Sequence, residues 1–217
     1  MIEQILPPGV ATAEAFDDDI PAPLYPEEEL LVARAVPKRR REFATGRRCA
    51  REALAMLGYA PVALPSQERG APRWPHGITG SITHCEGYRA AVAAPVTLLR
   101  SVGVDAEPHA TLPEGVLESI SDAGERHMVA GLSASEPGVH WDRLLFCAKE
   151  AVYKAWFPLT HRWLGFEEAV VSFDAAGRGF EARLLVPGPL PAFSGRWTVS
   201  VGLILTAVAV PPAPAAG

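Results

Sequence analysis

"WDRLLFCAKEAVYKAWF", Trp141 to Phe157, is the most strongly patterned stretch of the chain. At about 100° per residue, Leu144, Leu145, Ala148, Ala151, Val152, Ala155 and Trp156 fall on one broad face. The spacing predicts an amphipathic helix that buries this face and that Pro158 stops. Lys149, Glu150, Tyr153 and Lys154 occupy a separate arc. Glu150 and Lys154 stand at i,i+4, where an exposed ion pair contributes about 0.3–0.5 kcal/mol. A surface pair is the plain reading of that spacing, and the edge of a working site is the other.

Upstream lies "SVGVDAEP", Ser101 to Pro108. Side chains alternate along a strand, so Val102, Val104 and Ala106 point one way and Gly103, Asp105 and Glu107 the other. Two carboxylates on one face repel unless something neutralises them. A divalent cation such as Mg²⁺, held by carboxylates and substrate phosphates, is the economical answer. The alternative is that Glu107 lies past the strand end and faces water. Glu150 is the obvious third carboxylate.

The helix expected from Pro37, ending at Gly58, is basic: Lys38, Arg39, Arg40, Arg41, Arg47, Arg48 and Arg51. Arg39 projects over its apolar face, where a charge needs a carboxylate or phosphate partner. Arg41 and Arg48 point away, as solubility or nucleic-acid contact would require. "ITHCEGYR" puts Thr83 and His84 at a strand end, after a loop that holds Arg69 and Arg73.

With 217 residues, 48% of them hydrophobic and 21% charged, the composition is that of a globular protein. The net charge of −5 makes any basic cluster a local device. No apolar run approaches the roughly 18 residues of a membrane helix. Three scattered cysteines argue against a disulfide framework or a zinc site and for a reducing, cytoplasmic setting. Residues 1–25 read as an arm with little regular structure. Helical segments follow, then strands around a hairpin at Glu86-Gly87, more helix, and a strand-rich last third. Two α+β lobes fit this order, 1–107 and 108–217.

"VGVDAEP" followed about 40 residues later by "FCAKEAVYKAW" resembles the paired signatures of 4'-phosphopantetheinyl transferases, G-(I/V)-D-x-E and (F/W)-(S/T/C)-x-K-E-(A/S)-x-x-K. "KRRREFATGRRCAREAL", "ERGAPRWP" and "GSITHCEGYRAAVA" are similar to the coenzyme A-binding segments of the larger surfactin- and enterobactin-type class, its actinobacterial members in particular. The resemblance implies two similar lobes about a pseudo-twofold, with coenzyme A between them in a monomer. It implies Mg²⁺, or Mn²⁺ in its place, on Asp105, Glu107 and Glu150. Glu150 would also be the general base, and Lys154 would assist the leaving group. Arg39, Arg47, Thr83 and His84 would contact phosphates and ribose. Ser66, Gln67, Glu68 and Arg69 would surround the adenine, and Ser66 departs from the lysine that some relatives carry. The implied partners are apo acyl and peptidyl carrier proteins of fatty-acid, polyketide or nonribosomal peptide synthases, with neither nucleic acid nor membrane. "FPLTHRWLGF" is a candidate docking edge for such a carrier, or else lobe packing. Two rivals remain at this stage: a nucleic-acid-binding module built on the arginine-rich helix, and a Mg²⁺-dependent pyrophosphatase acting on coenzyme A or a related dinucleotide.

Overall fold

The computed structural model describes residues 1–66 and 70–213. The chain forms two antiparallel sheets with helices, an α+β arrangement in two lobes. The first sheet has the order β1-β3-β2, from Ala11–Ala15 (β1), Ile78–Cys85 (β2) and Tyr88–Pro95 (β3). Strands β2 and β3 form the expected hairpin, turning at Glu86-Gly87 with Gly87 in the left-handed region (φ 74°). Strand β1 corrects the sequence reading of residues 1–25 as irregular. Its alternation is carried only by Ala11, Ala13 and Ala15, too small a set of side chains to stand out.

Two helices lie between β1 and β2 in the chain: Pro26–Glu29 (α1) and Pro37–Met56 (α2). Proline opens each, where its missing N–H costs no hydrogen bond. Helix α2 lays Cys49, Ala50, Ala53 and Leu54 on β1 and β3. It ends at Gly58 (φ 83°), as the sequence predicts.

The second sheet has the order β4-β8-β7-β6-β5, from Ser101–Pro108 (β4), Ala169–Asp174 (β5), Gly179–Leu184 (β6), Ala192–Ser200 (β7) and Leu203–Val210 (β8). Strand β4 pairs with β8, so this sheet begins at Ser101, ahead of the division near Pro108 that sequence suggests. Helices Val116–Ile120 (α3), Ala123–Ser135 (α4) and Trp141–Thr160 (α5) connect β4 to β5. Helix α5 buries Leu144, Leu145, Ala148, Ala151, Val152, Ala155 and Trp156 completely, the face predicted from periodicity. Pro158 does not stop it. The helix runs on to Thr160, and His161 closes it in the left-handed region (φ 52°). A proline near a helix end forfeits one backbone bond, and packing of Phe157 and its neighbours holds the last turn.

The two sheets meet edge to edge at β2 and β4. They are not joined by a ladder. Instead Ser81 Oγ accepts from the Val104 N–H (3.1 Å), and Thr83 Oγ1 accepts from the Ala106 N–H (3.1 Å). Two hydroxyls two residues apart thus cover two edge donors that burial would otherwise leave unpaired. Behind this seam Tyr88, Val92, Val102, Val104, Ala106 and Leu205 form one apolar cluster. All three cysteines are free; Cys49 and Cys147 are buried, and Cys85 is half-buried.

Candidate active site

The site grows from Gly103. A Cβ there would lie 2.0 Å from the Ala151 carbonyl oxygen and 2.5 Å from the Ala155 nitrogen. The bare glycine therefore lets α5 rest directly on β4, and Ser101 Oγ ties the strand to the helix by donating to the Ala155 carbonyl (2.7 Å). This contact brings the charged arc of α5 beside Asp105.

Asp105 is buried. Its Oδ1 accepts from Lys154 Nζ (2.7 Å) and Thr83 Oγ1 (3.1 Å). Its Oδ2 is buried and has no hydrogen-bond partner among the described residues. Lys154 also donates to the Val104 carbonyl (3.1 Å). Burial works against the Lys154 charge, but Asp105 and Glu150 outweigh it and raise the pKa. Glu107 accepts from Arg143 on α5 (2.9 Å), and Arg143 also holds the Ala110 and Thr111 carbonyls. Burial and then the Asp105 charge push Glu107 above its ordinary value, against the pull of Arg143. Glu150 is raised by burial first, then by Asp105 and Glu107. It makes no hydrogen bond or ion pair among the described residues. The three carboxylates thus share one electrostatic field.

Among the described residues no three His, Cys, Asp or Glu side chains stand close enough together to hold a metal ion. The donors nevertheless fit one. They are hard carboxylate oxygens, Asp105 Oδ2 is buried without a hydrogen-bond partner among the described residues, and burial and then the Asp105 charge hold Glu107 and Glu150 above their ordinary values.

A cleft of about 430 Å³ opens next to Glu150 and Lys154. Trp74, Ile78 and Ile82 line its N-lobe side, and Tyr153, Phe157 and Arg100 face them. At the end of β2 the Arg39 guanidinium donates to His84 Nε2, with Glu42 3.9 Å from the same Arg39 nitrogen. Although part of the His84 ring reaches solvent, desolvation and then the Arg39 charge push its pKa down to about 4. Arg39 and His84 thus come together as a basic edge, within the electrostatic reach of Lys154 and Asp105.

Other expected residues lie elsewhere. Arg47 is buried over the Phe43 ring (4.4 Å), with Nε 3.9 Å from Glu28, and burial lowers its pKa to about 10. Thr83 is buried too; its hydroxyl serves Asp105 and Ala106. Ser66 pairs with Pro72 in an isolated bridge beside the cleft, while Gln67, Glu68 and Arg69 lie outside the described residues. Lys149, which periodicity groups with Glu150 and Lys154 in the charged arc, instead points into the core, donating to Glu125 (2.9 Å) and to the Phe166 carbonyl (2.8 Å). Arg143 and Gly103 were missed, although both left signals. Arg143, Glu150 and Lys154 recur at i, i+7 and i+11 on one helix flank, and an isolated glycine in a strand marks a close backbone approach.

Two family descriptions match the chain in tandem. The 4'-phosphopantetheinyl transferase N-terminal domain covers residues 27–94, and the 4'-phosphopantetheinyl transferase superfamily covers residues 101–201. The 4'-phosphopantetheinyl transferase Npt of Nocardia iowensis is 54% identical over 96% of this chain and 99% of its own length. The chain belongs to the 4'-phosphopantetheinyl transferase superfamily. The transferase Svp of Streptomyces mobaraensis is 52% identical over 97% of this chain and 89% of its own length, and PptT of Mycobacterium tuberculosis 48% over 96% and 97%. The enzyme is therefore a 4'-phosphopantetheinyl transferase of the actinobacterial type. The family border falls between residues 94 and 101, where the first sheet ends and the second begins. Among the described residues no helix is long and apolar enough to cross a membrane.

Proposed function

We propose that this transferase moves the 4'-phosphopantetheine arm of coenzyme A to a serine of apo acyl or peptidyl carrier proteins and releases 3',5'-ADP. The observation that carries the reading is a buried Asp105 oxygen and a raised-pKa Glu150 on the cleft wall, both without a hydrogen-bond partner among the described residues.

Phosphoryl transfer depends mainly on positioning and on neutralising charge. Glu150 takes the serine proton as the serine oxygen attacks the β-phosphorus; its raised pKa suits a base. The bond to 3',5'-ADP breaks, and its electron pair leaves with the ADP oxygen. Lys154, kept cationic by Asp105, lies on the same helix one turn on and meets that oxygen's charge. Arg39 and the neutral His84 offer hydrogen bonds to phosphate. Asp105, Glu107 and Glu150 would hold Mg²⁺ or Mn²⁺, which supplies charge neutralisation at the pyrophosphate. Glu107 would be shared with Arg143. A cytoplasmic monomer that serves polyketide or nonribosomal peptide carriers fits this reading. The half-exposed Trp163, packed 4.9 Å from Tyr153, offers a carrier-facing edge.

The test is incubation with coenzyme A, Mg²⁺ and an apo carrier. The account expects a mass gain on the carrier serine, an equal yield of 3',5'-ADP, and loss of both with chelator. A product formed without a protein acceptor would point instead to a coenzyme A pyrophosphatase. Duplex binding with a steep salt dependence would favour a nucleic-acid role.

A further inference from the structure

Lys149 sits inside the signature motif, next to Glu150, yet the cleft chemistry leaves it without a task. Its side chain is 2% exposed and that of its partner Glu125 1% exposed. Glu125 does more than balance charge. Its Oε1 accepts from the Val171 N–H at β5 (2.8 Å), and its Oε2 accepts from the Asp122 N–H at the start of α4 (3.0 Å). Asp122 accepts in return from the Glu125 N–H (2.7 Å), a capping box. Lys149 adds the Phe166 carbonyl, from the turn before β5. One buried pair therefore clamps α5 to α4 and to β5. On the opposite side α5 rests on β4 at Gly103. Rotation of α5 about its axis is fixed from both sides.

We infer that Lys149 is a positioning residue of the transfer reaction, acting through Glu125 and not on coenzyme A. Its side chain and that of Glu150 leave the helix on different sides, one into the core and one toward the cleft. Loss of the clamp lets α5 turn, which displaces Glu150 and Lys154 from Asp105 together. Small misplacement of groups acting on the transferring centre lowers turnover more than ground-state binding.

The experiment measures kcat and the coenzyme A KM, with an apo carrier, for Lys149→Met, Lys149→Arg, Glu125→Gln and the double variant Lys149→Met/Glu125→Leu, beside the wild type. Lys149→Met and Glu125→Gln should each lower kcat by about tenfold or more, with KM within about twofold. Lys149→Arg should recover most of kcat. The double variant should be no slower than the slower single variant, since both substitutions break one clamp. If the single variants fail to fold, the double variant decides alone, because it removes both buried charges at once. A low kcat with an unchanged KM then upholds the role. A KM raised about tenfold in Lys149→Met, with Glu125→Gln like the wild type, would make Lys149 a substrate contact and overturn it. Wild-type kcat in the folded variants would reduce the pair to a stabilising bridge and overturn it as well. The wild-type reaction run alongside keeps a failure of the transfer reading separate from either result.

Discussion

Helices α2 and α5 are both 20 residues long, both amphipathic and both charged along a flank. By charge alone α2 is the more obvious ligand binder, with seven basic residues between Lys38 and Arg51. Its arginines are largely occupied within the protein. Arg51 grips the buried Glu28 through both carboxylate oxygens (2.9 and 3.0 Å), Arg47 lies against the same Glu28, Arg48 pairs with Glu52 (2.8 Å) and Arg40 with Glu29. Glu28 also receives the Leu64 N–H (2.9 Å), so this network pins the loop ahead of Ser66. Arg39 turns instead to His84 at the end of β2. Helix α5 has fewer charges, but they converge: Arg143 on Glu107, Lys154 on Asp105, and Glu150 without a partner among the described residues. Where a charge finds its partner says more about function than how many charges a helix carries.

Substitutions that should separate the two helices follow from this contrast. Asp105→Ala should have the largest effect, cutting transfer about a thousandfold or more while the circular dichroism spectrum stays native. Near-normal turnover would remove Asp105 from the site. Gly103→Ala should come next. Its methyl group meets backbone atoms that cannot swing aside, so α5 must lift. A loss of roughly 1–3 kcal/mol in a denaturant titration and about a hundredfold in transfer are expected. A variant as stable and active as the wild type would show that the strand–helix contact is loose.

The arginines of α2 should divide by partner. Arg39→Ala should raise the coenzyme A KM about tenfold and leave the melting temperature nearly unchanged. Arg47→Ala should do the opposite: a lower melting temperature, by several degrees, with little change in KM at a temperature where it is folded. Equal KM effects would put Arg47 on the substrate after all.

The smallest effect concerns His84. Its folded pKa, about 4, lies below the model-peptide value of 6.5. The unfolded chain therefore binds the extra proton between those values, and stability should fall as pH drops from about 6.5 toward 4. His84→Gln should flatten that part of a stability–pH curve. An unchanged slope would show that the ring is not held neutral.

Much of this was legible in the sequence, for identifiable reasons. The helix face of α5 was readable because a 3.6-residue period survives in large apolar residues such as Leu144 and Trp156. The opposite faces of β4 were readable because Val102, Val104 and Ala106 alternate with Gly103, Asp105 and Glu107. Strand β1 escaped notice because alanines mark a buried face weakly. Lys149 was misread because helical periodicity separates apolar from charged residues, whereas a fully buried ion pair puts a charge on the core side. No local pattern ties Lys149 to Glu125, 24 positions away. The same limit hid the hydroxyls of Ser81 and Thr83, whose partners lie on a strand of the other sheet. Long-range pairings of polar groups are set by the fold, and no spacing rule along the chain reports them.

The central claim is that Glu150, without a partner among the described residues and in the field of Asp105, takes the proton of the acceptor serine. The most direct measurement is a single-turnover mass-spectrometric time course on an apo carrier, comparing the wild type with Glu150→Gln, which keeps shape and removes the base. The account predicts full modification by the wild type and at least about a hundredfold slower modification by Glu150→Gln. Modification by Glu150→Gln at close to the wild-type rate would contradict it.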